Sequence, residues 1–315
     1  MKIHKIACIG AGLIGQGWAT AFSAKGFDVL LQDANKNILD QAFQNVGHNL
    51  RLMEENGFLE EGDSRHALER VRITSSIDEA LNNADYVQES VPDNYDIKRQ
   101  LFKEMDAITP EYAILSSSAS GLLMSEIQKV TTKPERCVLA HPMLPVHIAP
   151  VVEVVGGKQT SRETIDITRD LLKKAGKIPV VLNKEVPGYI VNRLGAALLR
   201  EAIDLVDSGV ASAEDVDTAF SMGVGIKYAI MGPLLRIHTA GNGVEDFFEK
   251  YSESYHYRWE TMKTWTSVSD AAKASVVKSV NEMEIIRTKK IEEINNWRDK
   301  LLFNILKLIR EDDIK

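Results

Sequence analysis

Cysteine is scarce in this chain of 315 residues, which contains only Cys8 and Cys137. Each cysteine lies inside an apolar run without a metal-ligand residue beside it. A disulfide framework and a cysteine-based metal centre are therefore not predicted, and no metal site of any kind is expected. Long apolar runs are also lacking: none approaches the roughly 18 residues that suggest a membrane-spanning helix, so no membrane association is expected.

The chain also lacks an excess of basic residues. Lysine and arginine number 38 against 45 aspartates and glutamates, which gives a net charge of −7. Such a balance argues against a nucleic-acid partner but leaves an anionic small substrate possible, since local charge decides that. The first apolar run begins a few residues after Met1, so no secretory leader is expected and the default compartment is the cytoplasm. The length suggests two domains.

A glycine-rich turn follows the apolar run Ile6–Ile9, which has the pattern of a buried strand. The segment from position 16 to 24 after the turn has a helical pattern. In this context the first glycine makes a tight turn, the second admits a pyrophosphate, and the third lets helix and strand pack closely. The predicted cofactor-binding residues of the turn are Gly10, Gly12, Leu13, Ile14 and Gly15.

Asp33 closes the next predicted strand, 27–33, and lies 18 residues after Gly15. An acid at this place holds a ribose 2′-hydroxyl and repels a 2′-phosphate, so the predicted cofactor is NAD rather than NADP. Lys36 lies nearby and weakens this distinction. The alternative is that Asp33 is only a turn residue at the end of the strand.

Glu89 lies near the end of the predicted strand 86–91, and Lys98 lies on the helix that follows. Parallel strands present ligand contacts at their carboxyl ends, so both residues are candidates to line the nicotinamide side of the cofactor. For Lys98, a solvated surface lysine is an equal alternative.

Three further segments carry polar groups in apolar surroundings. A strand from Ala113 runs into a hydroxyl-rich turn that ends at Ser120, which on its own is also a helix-capping turn. A strand from Cys137 ends at His141, and this residue taken alone is better explained as a structural histidine. Glu153 interrupts the apolar run 151–155, and because a buried acid is costly unless it is paired, His141 is its predicted partner.

Strand and helix alternate up to about position 182, and only helical patterns follow. One of these is a predicted long amphipathic helix from about Ser279 to Arg310. The predicted fold class is α/β: a Rossmann-type domain with a mostly parallel sheet over residues 1–185, and an all-helical domain for substrate and dimerisation over residues 186–315.

These motifs together resemble the 3-hydroxyacyl-CoA dehydrogenase superfamily, and within it the branch of lambda-crystallin and L-gulonate 3-dehydrogenase. The matching stretches span nearly the whole chain; they are 10–15, 115–120, 140–142, 152–154, 184–194, 223–233 and 296–301.

The resemblance implies that Ser120, His141, Glu153 and Asn192 are the catalytic set of an NAD-dependent oxidoreductase. A histidine with near-neutral pKa suits the removal of a hydroxyl proton. An acid behind it would hold the imidazole tautomer, while Ser120 and Asn192 would position the reacting oxygen. Because Asn192 opens the first helix of the second domain, the resemblance places the site in an interdomain cleft.

The substrate is less sharply defined. The family usually has asparagine where this chain has Leu144, which puts substrate specificity in doubt. A coenzyme A thioester would favour a basic helical hairpin after residue 50, yet acids outnumber arginines there: Glu54, Glu55, Glu60, Glu61, Asp63 and Glu69 against Arg51, Arg65 and Arg70.

A small L-3-hydroxy acid resembling L-gulonate is therefore the favoured substrate, with Lys227, Arg193 and His238 as possible contacts. The alternatives are L-3-hydroxybutyryl-CoA and L-carnitine, whose quaternary ammonium suits aromatic faces such as Tyr228 and the Trp259–Trp265 region.

A non-catalytic NAD-binding protein of the crystallin type is the alternative outside the enzyme class. Apolar faces on the first helix of the second domain exceed what one small bundle would hide and predict a homodimer through that domain. The residues that form these faces are Leu198, Leu199, Ile203 and Leu205.

Overall fold

The structure, a computed structural model, describes residues 2–311 and the side chains of residues 2–309. It divides into two compact units, the first ending at Arg193 and the second beginning at Leu194. The first unit is an α/β layer around one sheet, and the second is helical, as the change of pattern near residue 182 predicts. No helix in the described part combines the length and the apolar character that crossing a bilayer requires.

Within residues 2–311, eight strands form a single sheet in the order β3-β2-β1-β4-β5-β6-β7-β8. All neighbouring pairs are parallel except β6 and β7, which are antiparallel. The strands are β1 (Lys5–Ile9), β2 (Asp28–Gln32), β3 (Val71–Thr74), β4 (Tyr86–Glu89), β5 (Ile114–Ser117), β6 (Cys137–Pro142), β7 (Val151–Gly156) and β8 (Ile178–Val181).

Helices of the first unit cover the sheet and bury two apolar clusters against it. They are α1 (Leu13–Ser23), α2 (Lys36–Glu55), α3 (Asp63–Glu69), α4 (Ile77–Leu81), α5 (Tyr95–Ile108), α6 (Met124–Ile127) and α7 (Arg162–Lys174), with 3₁₀ turns at Gln128–Val130 and Pro134–Arg136. Side chains of Asn35, Ser76, Asn94 and Ser161 cap the starts of α2, α4, α5 and α7, which fixes where these helices begin.

Helix α8 (Val191–Asp207) starts in the first unit and continues into the second. The other helices of the second unit are α9 (Ala213–Ala219), a π-helical turn (Phe220–Gly225), α10 (Ile226–Tyr228), α11 (Pro233–Thr239), α12 (Val244–Thr261), α13 (Asp270–Glu282), α14 (Glu284–Thr288) and α15 (Ile291–Glu311).

The single helix predicted from about Ser279 to Arg310 is wrong. Extended backbone at Met283 (ψ 136°) and at Lys289 (ψ 146°) divides the segment among α13, α14 and α15. Neither glycine nor proline occurs at either break, so the amphipathic pattern continues across both and gives no signal of them.

Candidate active site

The glycine-rich turn joins β1 to α1 at the carboxyl edge of the sheet. Gly10 has φ +91°, a conformation that glycine adopts without strain. A Cβ built on Gly15 would lie 1.8 Å from the Gly10 carbonyl oxygen, so only glycine lets α1 approach β1 this closely. A Cβ built on Gly12 meets nothing within 4 Å. The turn therefore leaves open space beside Gly12, at the start of α1.

Asp33 lies against the same turn, just after β2. Its Oδ2 accepts a hydrogen bond from the Ala11 amide at 3.0 Å, and its Oδ1 accepts one from the Asn35 amide at 3.0 Å. The carboxylate is half-buried, and lone pairs on both oxygens stay available. The open space at Gly12 and this fixed acid, one strand apart, fit the pyrophosphate and the ribose of a dinucleotide.

Glu89 and Lys98 form a buried ion pair at the end of β4. The Lys98 ammonium lies 2.7 Å from Glu89 Oε1 and 2.9 Å from the Val91 carbonyl oxygen, and 3.4 Å from Asp93 Oδ1. Both side chains are essentially inaccessible, so the alternative of a solvated surface lysine is wrong. Burial raises the pKa of the Glu89 carboxyl, although Lys98 opposes the shift. Direct contact of either residue with the cofactor stays a prediction.

His141 and Glu153 face each other across the one antiparallel pair of the sheet. They are directly opposite in the β6–β7 register, which puts both side chains on the same face. His141 Nδ1 lies 2.9 Å from Glu153 Oε2, so the pairing predicted from the sequence is present. Because an ionised carboxylate only accepts, the proton of a neutral imidazole lies on Nδ1 and the Nε2 lone pair is free to act as a base.

The second oxygen of Glu153 is held by the backbone before α8. The amides of Ile190 and Val191 donate to Oε1 at 2.7 and 3.0 Å. Glu153 is fully buried, so three donors compensate the cost of placing its charge inside the protein. The acid is thereby fixed in one orientation behind the imidazole.

Ser120 and Asn192 lie beside each other. Asn192 Nδ2 donates to the Ser120 carbonyl oxygen at 2.9 Å, which leaves its second N–H and its Oδ1 available. The Ser120 amide and hydroxyl both donate to Asp93 Oδ2 at 2.8 Å. Both Ser120 and Asn192 are exposed. The structure thus brings Ser120 to Asn192 and His141 to Glu153, and the two residues whose amides hold Glu153 directly precede Asn192 in the chain.

Asp93 is a residue that the sequence analysis missed. It follows Pro92 two residues past the predicted strand end, and its role depends on Ser120, which lies 27 positions further along the chain. The signal that could have found it is its place at the carboxyl end of β4, the strand next to β1 in the sheet.

The suggested substrate contacts are distributed over both units. Arg193 is exposed at the end of the first unit, while Lys227 lies on α10 and His238 on α11 of the second. Tyr228 and Trp259 are exposed by 41% and 63%. Leu144 is 56% exposed in the loop after β6. Among residues 2–309, whose side chains the structure describes, histidine, cysteine and acidic side chains form no group of three able to hold a metal ion.

Comparison with protein families defines the class. Residues 5–186 match the NAD-binding domain of 3-hydroxyacyl-CoA dehydrogenase, and residues 188–279 match the C-terminal domain of the same enzymes. The chain therefore belongs to the 3-hydroxyacyl-CoA dehydrogenase family of NAD-dependent oxidoreductases, and its cofactor is NAD.

Several individual proteins of known name or structure are similar to this chain over nearly its whole length. The chain is 34% identical over 312 residues to L-carnitine dehydrogenase from Bacillus cereus, covering 98% of this chain and 94% of that protein. It is 33% identical over 313 residues to lambda-crystallin from Oryctolagus cuniculus, covering 97% and 96%. A solved structure, the NAD⁺-dependent dismutase 5-formyl-3-hydroxy-2-methylpyridine 4-carboxylic acid 5-dehydrogenase, shares 30% identity at a TM-score of 0.86 and covers 98% and 99%.

Proposed function

We propose that this protein oxidises the 3-hydroxyl of a small, free L-3-hydroxy acid to the 3-keto acid. The observation that carries the proposal is the His141–Glu153 pair, whose hydrogen bond at Nδ1 leaves Nε2 as a base. NAD, when bound, supplies the acceptor for the hydride that leaves C3 of the substrate. His141 Nε2 takes the hydroxyl proton, and Glu153 stabilises the imidazolium that forms.

Ser120 and Asn192 orient the reacting oxygen in this proposal. Asn192 keeps one N–H and its carbonyl oxygen free for the substrate. The Ser120 hydroxyl donates to Asp93 in the structure. Because the substrate hydroxyl gives its single proton to His141, Ser120 turns its own hydroxyl from Asp93 to the substrate oxygen and acts there as a donor. Two polar groups that hold the alcohol in one orientation supply part of the rate acceleration.

A free acid is favoured over a coenzyme A thioester by the surface of the α2–α3 hairpin, where acids outnumber arginines. L-gulonate remains the substrate suggested by the sequence resemblance. L-carnitine is the second candidate, because relatives that carry its name are 33–34% identical to the chain over nearly its whole length. Exposed aromatic faces at Tyr228 and Trp259 suit a quaternary ammonium.

The test is the initial rate of NAD reduction with L-gulonate, L-carnitine, L-3-hydroxybutyrate and L-3-hydroxybutyryl-CoA. We expect one free acid to turn over best and His141→Ala to abolish the reaction while NAD still binds. Turnover of the thioester alone would refute the free-acid assignment. NAD binding without turnover of any of the four would contradict this proposal and favour the non-catalytic alternative of the crystallin type.

A further inference from the structure

Tyr189 has an unusual backbone just before α8. Its φ is +50°, and no other residue apart from glycine has positive φ in the described part of the chain. Such a conformation is strained for a residue with a Cβ and persists only where the surroundings enforce it. The side chain is fully buried. A strained, buried tyrosine between the two halves of the candidate site needs a physical explanation.

The phenol of Tyr189 contacts the turn that carries Ser120. Its hydroxyl lies 2.6 Å from the Leu122 carbonyl oxygen and 3.0 Å from the Ala119 carbonyl oxygen, so its single proton is shared between them. These carbonyls flank Ser120 on both sides. Burial raises the pKa of the phenol, so the hydroxyl keeps its proton at neutral pH and remains a donor.

The ring and the following backbone of Tyr189 contact the other half of the site. The ring centroid lies 5.2 Å from that of His141, with the planes tilted by 58°. The next two amides are those that donate to Glu153 Oε1. The left-handed turn at Tyr189 reverses the chain so that the phenol points to the Ser120 turn while the amides point to Glu153.

We propose that Tyr189 is a positioning residue that sets the distance between Ser120 and His141. This inference rests on the proposed function. Both residues must reach the same substrate oxygen, and a displacement of about 1 Å is enough to lower a rate by roughly 100-fold. Direct hydrogen bonds within the Ser120–Asn192 and His141–Glu153 pairs do not join one pair to the other. Tyr189 touches both sides with one rigid side chain.

The test is a double-mutant cycle of Tyr189→Phe and Ser120→Ala. The phenylalanine keeps the ring and the backbone but removes the donor to Ala119 and Leu122. We expect kcat to fall roughly 10–100-fold with the KM for NAD unchanged. In the Ser120→Ala background we expect Tyr189→Phe to change kcat less than threefold, because the group it positions is already gone. A purely structural loss would instead lower kcat by the same factor in both backgrounds.

The matched control is Tyr86→Phe, which removes another fully buried phenol. Tyr86 lies at the amino end of β4, whereas the candidate site lies at the carboxyl ends of the strands. It is expected to leave kcat within twofold of the wild type. Equal losses in both tyrosine variants, or a Tyr189→Phe enzyme within twofold of the wild type, would overturn the proposal.

Amide hydrogen exchange tests the same inference without an activity assay. Tyr189→Phe should speed exchange at least tenfold at the amides of residues 119–123, and Tyr86→Phe should leave them unchanged. Unchanged exchange in Tyr189→Phe would overturn the positioning role, whereas a wild type that oxidises none of the acids would overturn only the proposed function.

Discussion

At the scale of single residues, the decisive feature is how completely Glu153 is fixed. One oxygen accepts from His141 and the other from two backbone amides, so the carboxylate has no freedom to turn. The pair is therefore already arranged for a proton transfer before substrate binds. In the proposed reaction the negative charge matters as much as the hydrogen bonds, because it stabilises the imidazolium.

Glu153→Gln tests this role. The amide fits the space but carries no charge, and its NH₂ end must face either the backbone amides or His141 Nδ1. The first arrangement breaks two hydrogen bonds, and the second moves the imidazole proton to Nε2 and removes the base. We expect kcat to fall roughly 10²–10⁴-fold in steady-state assays.

NAD affinity, measured by titration, should stay within twofold of the wild type in Glu153→Gln. Glu163→Gln, an exposed acid in the first turn of α7, is the matched control and should have wild-type kcat. Retention of kcat within threefold in Glu153→Gln would contradict the role of the acid.

The two cysteines allow a prediction from burial. Burial raises the pKa of the Cys137 thiol to about 12 and raises that of Cys8 as well. At pH 8 only roughly one Cys137 side chain in 10⁴ is therefore a thiolate, the reactive form. We expect Ellman's reagent to label neither cysteine of the native protein within minutes, and to label both in guanidinium. Fast labelling of one thiol before unfolding would show that its strand opens in the native state.

At the scale of elements, two glycines of the β1–α1 turn have different roles: Gly12 matters for cofactor binding and Gly15 for folding. Gly12→Ala places a methyl group in open space, so we expect a Tm close to that of the wild type. Its NAD dissociation constant should rise at least tenfold, since the methyl occupies the approach of the pyrophosphate.

Gly15→Ala forces a methyl group onto the Gly10 carbonyl oxygen and should destabilise the protein by about 1–3 kcal/mol or more. Thermal unfolding and NAD titration of both variants measure the contrast. Equal effects of the two substitutions on stability would contradict these assignments.

At the scale of the whole molecule, the second unit exposes much apolar surface. Few of its described side chains are buried apolar groups: Val206, Ala213, Phe247, Ala272 and Phe303. Large apolar side chains are instead exposed, including Leu198, Leu199, Ile230, Leu234, Ile291 and Trp297, by 45–79%. Monomeric proteins rarely leave such surface uncovered. The homodimer predicted from the sequence remains a proposal, and these exposures support it.

Sedimentation equilibrium checks this proposal. We expect a mass about twice the 35.1 kDa of one chain, and a Tm that rises with protein concentration. Leu199→Glu should shift the mass towards one chain. Ile178→Glu, at an equally exposed position of the first unit (57% against 60%), should leave the dimer intact. A wild-type mass of one chain would refute the dimer.

Some features were predictable because neighbouring residues determine them. The turn Gly10–Gly15, the alternation of strand and helix, and the change to helices near residue 182 depend on local spacing and backbone preference. The pairing of His141 with Glu153 was also within reach, because a buried acid needs a partner and consecutive strands usually lie close together.

Other features depend on contacts between distant parts of the chain, which only the tertiary structure decides. Asp93 meets Ser120 across 27 positions, and the Tyr189 hydroxyl meets the Ala119 carbonyl across 70. In the sequence, Lys98 is equally well explained as a surface lysine. Only the packing of α5 against β4 buries it beside Glu89. Local spacing predicts which segments form strands or helices. Strand register and the turns between elements determine which distant side chains come into contact. The amino-acid sequence by itself therefore determined the alternation of strand and helix in the first unit and the cofactor class. The folded arrangement decided where the C-terminal helices break and how the candidate site is held together.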